Sequence, residues 1–140
     1  MEGETVHIPR ALFDEMLAHA QAEAPNECCG FLATRGASAV AVHPARNAAA
    51  SPLRFEIDSQ ELFATYFAIE DADCEPGVIY HSHTRSEPYP SQTDINFAAG
   101  WPGLEWVIVG LSDASASAQA QVRCYTIDGA DVREVPLEVR

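Results

Sequence analysis

The sequence contains no lysine. All 8 basic residues are arginines, against 21 aspartates and glutamates, and the formal net charge is −13. Nucleic acids and anionic lipid surfaces bind proteins through clustered positive charge. The composition therefore argues against a nucleic acid or a membrane surface as a partner. It fits a salt-rich cytoplasm and equally fits a GC-biased genome that replaces lysine with arginine.

The sequence also has no long apolar run and no pair of cysteines in a C-x-x-C motif. Its longest apolar run, Trp106–Leu111, is far shorter than the ~20 residues that span a bilayer. The acidic segment Met1–Glu4 lacks the basic-then-apolar pattern of an export signal. We therefore expect a cytoplasmic protein with reduced, buried cysteines. These cysteines are Cys28, Cys29, Cys74 and Cys124.

The length and hydrophobic content predict one compact domain. A chain of 140 residues with 47% hydrophobic residues can bury a core without disulfides or other cross-links. Apolar periodicity alternates between strands and helices, so we expect residues 1–140 to form a single α/β domain with a mixed sheet and about three helices. The predicted helices are Pro9–Ala24, one capped by Asp58, and Ser91–Ala98. The predicted strands are Thr5–Ile8, Cys28–Ala33, Ser38–His43, Arg54–Ile57, Val78–His83 and Trp106–Leu111, followed by a hairpin of Ala120–Ile127 and Asp131–Val139.

Two histidines and an aspartate have spacings suited to a metal site. Alternate side chains of a strand project from the same face, so His81 and His83 point together. Asp94 follows in the first turn of the third predicted helix, where a returning loop can bring it to the same point. Zinc accepts imidazole nitrogen and carboxylate oxygen, and catalytic zinc sites keep a fourth position for water.

Each of these residues also has a purely structural interpretation. His81 and His83 could be a surface pair or hydrogen-bonded core residues. Asp94 could stabilise the positive end of the helix dipole. Ser91 is a natural N-cap, and Ser-x-x-Asp is itself a capping box. The combination is what favours a metal site.

The same residues resemble the signature of the JAMM (MPN-plus) metalloproteases, which is H-x-H, seven residues, then S-x-x-D. The match runs from His81 through His83 to Ser91 and Asp94. The segment Pro25–Leu32 is similar to the upstream segment that carries the family's glutamate, here Glu27. Residues 47–55 and the helix after Asp58 also resemble small stand-alone bacterial members, so the likeness covers most of the chain.

This resemblance implies a curved, mixed sheet similar to that of cytidine deaminases, and zinc-dependent hydrolysis of an amide or isopeptide bond. His81, His83 and Asp94 would hold Zn²⁺. Glu27 would carry the proton from water to the leaving amine, and Ser91 would donate to the developing oxyanion. Substrates of the family are C-terminal tails of ubiquitin-like proteins. Bacterial members are similar to enzymes that act after the C-terminal glycines of sulfur-carrier proteins.

One position departs from the family pattern, and two other functions stay open. The family usually has proline directly after the second histidine, where this chain has Thr84. Arg85 is a candidate contact for a substrate carboxylate or carbonyl, or a solvated loop residue. A catalytically silent binding module of the same fold would account for the motif, although such relatives usually lack metal ligands. A RadC-like protein of DNA metabolism carries a similar motif, but the charge of −13 weighs against direct DNA binding.

Overall fold

A computed structural model describes residues 5–113 and 121–140. Within these ranges the chain forms three helices and eight strands in a single α/β domain. The helices are α1 (Arg10–Glu23), α2 (Ser59–Asp71) and α3 (Gln92–Ala98). The strands are β1 (Val6–Ile8), β2 (Cys29–Arg35), β3 (Ser38–Ala45), β4 (Glu75–His83), β5 (Glu105–Gly110), β6 (Val122–Asp128), β7 (Asp131–Val135) and β8 (Leu137–Val139).

The strands make one mixed sheet in the order β7-β6-β5-β4-β2-β3-β1-β8. Strand β4 lies near the middle, antiparallel to β2 and parallel to β5. Only Pro136 separates β7 from β8, although they occupy opposite ends of this order. The sheet must therefore curl until its two edges meet, and the amide of Val6 donates to the carbonyl of Pro136 at 3.0 Å.

Two hydrophobic clusters cover the two faces of the sheet. Helix α1 buries Phe13, Met16 and Ala20 on one face, a spacing that places all three on one side of the helix. Phe55 and Trp106 belong to the cluster on the other face, together with Ile69 of α2 and Ala98 of α3. Because neighbouring residues of a strand alternate between the faces, β4 sends Val78 and Tyr80 towards α1 and Ile79 to the other side.

Two predicted elements differ in the structure. Residues 54–57 form no strand, because the side chain of Asn47 bonds to the carbonyl of Arg54 and the amide of Glu56 in place of a neighbouring strand. The final hairpin ends at Val135, since Pro136 has no N–H to continue the ladder. Strand β8 instead pairs parallel with β1. The predicted start of the hairpin, Ala120, lies outside the described residues.

The other predicted elements are confirmed to within a few residues at their ends, and the four cysteines are free and buried, as expected. No helix in the described part of the chain is long and apolar enough to cross a membrane.

Candidate metal centre

The end of β4 brings two imidazoles to one point. His81 and His83 lie on the same face as Ile79, and their Nε2 atoms are 3.1 Å apart. His81 is fully buried and its ring lies against Phe55, with 4.8 Å between the ring centroids. His83 is 4% exposed. The sheet therefore fixes both rings through strand geometry and core packing.

Asp94 completes the cluster from the first turn of α3. Its Oδ2 lies 3.2 Å from Nε2 of His81 and 3.1 Å from Nε2 of His83. A reciprocal capping box orients it: the amide of Ser91 donates to Oδ2 at 2.9 Å, and the amide of Asp94 donates to Oγ of Ser91 at 3.1 Å. The local sequence Ser-x-x-Asp thus caps the helix and aims the carboxylate at the histidines.

The hydrogen bonds of His83 leave its Nε2 available as a ligand. Its Nδ1 lies 2.9 Å from the carbonyl oxygen of Glu87, which can only accept, so Nδ1 carries the proton. In the neutral imidazole Nε2 is then unprotonated, and it faces Oδ2 of Asp94 and Nε2 of His81. Three atoms that offer lone pairs converge within 4.8 Å of one another, and all three residues are buried. A cation at this point would satisfy all three, so the donor set fits a metal ion.

The charged groups of this cluster shift one another's pKa values. Burial alone would raise the pKa of Asp94, but the two histidines and the amide of Ser91 outweigh it and hold the pKa well below its usual range. Burial lowers the pKa of His81. Burial also acts to lower the pKa of His83, but its bonds to Asp94 and to the Glu87 carbonyl raise it above the ordinary value.

The register between β2 and β4 places Glu27 beside this cluster. Cys29 pairs with His81. The pairing continues past the end of β2, because the amide of Cys28 donates to Oγ of Ser82 at 2.8 Å and the amide of Ser82 donates to the Cys28 carbonyl at 3.3 Å. Glu27 lies two residues before Cys29, and His83 lies two residues after His81. Because the strands are antiparallel, Glu27 and His83 therefore face each other on the same side of the sheet.

Glu27 is buried but makes no side-chain hydrogen bond to the described residues. It is 4% exposed, and its Oε1 has no partner among them. Burial raises the pKa of this carboxyl to about 8, with His83 lowering it and Asp94 raising it. An unbonded carboxyl whose pKa lies near neutrality and is influenced by two of the three metal-ligand candidates, His83 and Asp94, is suited to proton transfer.

The loop after β3 holds the backbone of Glu27. The amide of Glu27 donates to the carbonyl of Ser51 at 2.9 Å, and Nδ2 of Asn47 donates to the carbonyl of Glu27 at 3.0 Å. Asn47 is buried, and its Oδ1 accepts from the amides of Ala49 and Glu56. The only signal in the sequence was the likeness of residues 47–55 to the family.

The chain also matches known proteins. The profile of the family described as "Prokaryotic homologs of the JAB domain" matches residues 9–127. The chain belongs to this family. It is 40% identical over 130 residues to the "CysO-cysteine peptidase" of Mycobacterium tuberculosis, covering 91% of this chain and 86% of that protein. It is 34% identical over 133 residues to the "Desampylase" of Haloferax volcanii, covering 90% of each.

The fold is shared with a solved structure described as "JAMM: A Metalloprotease-like Zinc Site in the Proteasome and Signalosome". The TM-score is 0.59 at 20% identity, covering 98% of this chain and 99% of that one. This likeness confirms the predicted α/β fold. The family profile and the relatives named above confirm the resemblance to the JAMM family. The protein is a peptidase of this family.

Proposed function

We propose that the protein is a zinc-dependent peptidase that hydrolyses the amide bond after the C-terminal glycines of a small sulfur-carrier or ubiquitin-like protein. The observation that carries this proposal is the convergence of His81, His83 and Asp94 on one point, with Glu27 opposite His83 on the same side of the sheet. Two imidazole nitrogens and one carboxylate oxygen are ligands typical of catalytic zinc.

Zinc bound by these three residues would supply a Lewis acid for the scissile carbonyl and would lower the pKa of a water to ~7. His81 and His83 would contribute their Nε2 atoms. Asp94 would contribute Oδ2, held in place by the amide of Ser91. The carbonyl of Glu87 would keep the proton of His83 on Nδ1, so that Nε2 remains free to bind.

Glu27 would move the proton. Its carboxyl has no hydrogen-bond partner among the described residues, so Oε1 is available to accept the proton of the attacking water and to pass it to the leaving amine. A raised pKa of about 8 suits the second step, because a carboxyl that holds its proton near neutral pH is an effective acid. A nearby positive charge lowers such a pKa and favours the ionised form that the first step needs.

Ser91 would stabilise the oxygen on which negative charge develops. Its Oγ accepts from the amide of Asp94, which leaves the hydroxyl proton free to donate. One such donor is commonly worth ~10²–10³ in turnover. This hydroxyl belongs to the residue whose amide donates to the carboxylate of Asp94.

The relatives support the class of substrate. One is named as a peptidase acting on CysO-cysteine, and another as a desampylase. Such names describe cleavage at the end of a small carrier or modifier protein. Arg85 is exposed in the loop after Thr84, and no described residue pairs with its side chain, so it can receive the carboxylate of a released amino acid.

We place this reaction in the cytoplasm. All four cysteines are free and buried. Free thiols persist in reducing compartments, whereas exported proteins commonly form disulfides.

The decisive experiment uses carrier proteins extended by one amino acid past their C-terminal glycines. Mass spectrometry of the products, with and without chelator, should show release of the added residue only when metal is present. Glu27→Gln should retain stoichiometric zinc and lose activity by about 10²-fold or more. Cleavage that continues at the wild-type rate in chelator, or in Glu27→Gln, would refute the mechanism. Zinc binding without cleavage of any carrier would instead favour the silent binding module.

A further inference from the structure

The carboxyl of Glu27 forms no hydrogen bond to the residues that the structure describes. Its position over the metal-ligand candidates therefore depends on the backbone of residues 25–28. This short segment lies between α1 and β2 and belongs to neither element. The contacts that hold this segment in place therefore also set the distance between the carboxyl of Glu27 and the metal-ligand candidates.

Hydrogen bonds reach this segment from two directions. The loop after β3 bonds both backbone polar groups of Glu27, through Ser51 and Asn47. The end of β4 and the residue after it bond the segment before and after Glu27. The amide of Cys28 donates to Oγ of Ser82 at 2.8 Å, and Oγ1 of Thr84 donates to the carbonyl of Pro25 at 2.9 Å.

Thr84 contacts both the segment that carries Glu27 and the loop that bonds it. It directly follows His83, so its bond joins the metal-ligand strand to the start of the segment that carries Glu27. The same Oγ1 lies 3.5 Å from the carbonyl of Pro52, next to Ser51 in the loop that bonds Glu27. One half-buried hydroxyl therefore touches both parts of the chain that enclose Glu27.

We propose that Thr84 is a positioning residue, whose hydroxyl bond to Pro25 sets the place of the Glu27 carboxyl relative to His83. This inference rests on the proposed function, in which Glu27 moves the proton. Thr84 itself touches no reacting atom. Where the family pattern has a proline, this chain restrains the loop with a side-chain hydrogen bond.

The contact predicts a specific kinetic effect. Misplacement of a catalytic group by about 1 Å can cost ~10²-fold in rate, and one lost hydrogen bond loosens a segment only partly. We therefore expect Thr84→Val to lower kcat by about fivefold to tenfold and to change KM by less than about twofold. Thr84→Ser keeps the hydroxyl and should stay close to the wild type.

The test compares wild type, Thr84→Val, Thr84→Ser and a matched control, Thr126→Val. The hydroxyl of Thr126, in β6, bonds to none of the described residues, so its replacement should leave kcat unchanged. Zinc content and affinity should be equal in all four proteins, because no ligand is altered. The proposal would be overturned if Thr84→Val kept the wild-type kcat or lost its zinc. It would also be overturned if Thr84→Ser had the same defect as Thr84→Val.

A second measurement needs neither metal nor substrate. In the chelated protein, the amide of Glu27 should exchange hydrogen faster in Thr84→Val than in the wild type or in Thr84→Ser. Unchanged exchange would overturn the positioning role. If the wild type cleaves no carrier, the proposed function fails, while faster exchange in Thr84→Val would still support the link between Thr84 and the Glu27 segment.

Discussion

The two buried carboxyl groups of the site have opposite pKa shifts, and their neighbours explain why. Burial acts to raise both. For Asp94 the two histidines and the amide of Ser91 outweigh burial and lower the pKa, whereas burial dominates for Glu27 and raises its pKa to about 8. Asp94 is therefore ionised and suited to bind a cation, and Glu27 is suited to exchange a proton.

The pKa of Glu27 predicts a pH dependence of stability in the chelated protein. Between its ordinary value of 4.5 and about 8, the folded state holds a proton that the unfolded state has released. Stability due to this group therefore falls as pH rises through that window. From pH ~5 to ~8, the free energy of unfolding of the wild type should fall by at least about 1 kcal/mol relative to Glu27→Gln.

Urea unfolding at several pH values measures this difference. Comparison with Glu27→Gln is needed because the pKa of His81 is lowered and that of His83 is raised, so both histidines also make stability depend on pH. The pKa of Asp94 is lowered, so this group contributes a constant amount to the free energy of unfolding at pH values above its ordinary pKa of 3.8. Parallel stability curves for the two proteins would contradict the shift of Glu27.

The metal-ligand candidates predict the outcome of single substitutions. His81→Ala, His83→Ala and Asp94→Ala should each remove stoichiometric zinc and activity together, because each deletes one of three converging atoms. His43→Ala is the matched control. His43 lies on β3 outside the cluster, so zinc content by mass spectrometry should remain one per chain. Zinc retained at wild-type affinity after any of the three ligand substitutions would refute this site.

At the scale of elements, the start of α3 both caps the helix and builds the site. The two bonds of the capping box join Ser91 and Asp94, and the bond from the amide of Ser91 to Oδ2 also orients the carboxylate towards the histidines. Helix α2 begins with a comparable cap, since the side chain of Asp58 accepts from the amides of Gln60 and Glu61. The two helices therefore have comparable N-caps, and only α3 begins beside the candidate metal centre.

This pair allows the two roles of Ser91 to be separated. Ser91→Ala and Asp58→Ala should each lower the free energy of unfolding by ~1 kcal/mol, the usual cost of an N-cap. Only Ser91→Ala should also reduce kcat, by ~10²–10³. Urea unfolding and steady-state kinetics measure both quantities. Equal kinetic effects of the two substitutions would show that Ser91 acts only as a cap.

At the scale of the whole molecule, the main electrostatic feature is the excess of negative charge. The net charge of −13 is spread over a small domain, and the arginine–carboxylate pairs among the described residues are largely exposed. Exposed pairs contribute little to stability, so repulsion among the remaining carboxylates is uncompensated. Added salt should therefore stabilise the fold.

Thermal unfolding across ionic strength tests this expectation. Tm should rise as salt increases from ~0.01 M to ~1 M, a range over which the Debye length falls from about 30 Å to about 3 Å. Repeating the series after chelation controls for effects of salt on metal binding. A Tm independent of salt would contradict the repulsion and favour a genomic origin for the absence of lysine.

The sequence by itself determined the features that depend on near neighbours. The period of two along a strand put His81 and His83 on one face, and the Ser-x-x-Asp box oriented Asp94. The tertiary structure decided the rest. The pairing of β2 with β4 places Glu27 beside His83. The side chain of Asn47 bonds to residues 54–57 in place of a neighbouring strand. The hairpin ends at Pro136, and β8 pairs with β1 at the opposite edge of the sheet. These contacts join residues far apart in sequence, and no local period encodes which strands become neighbours.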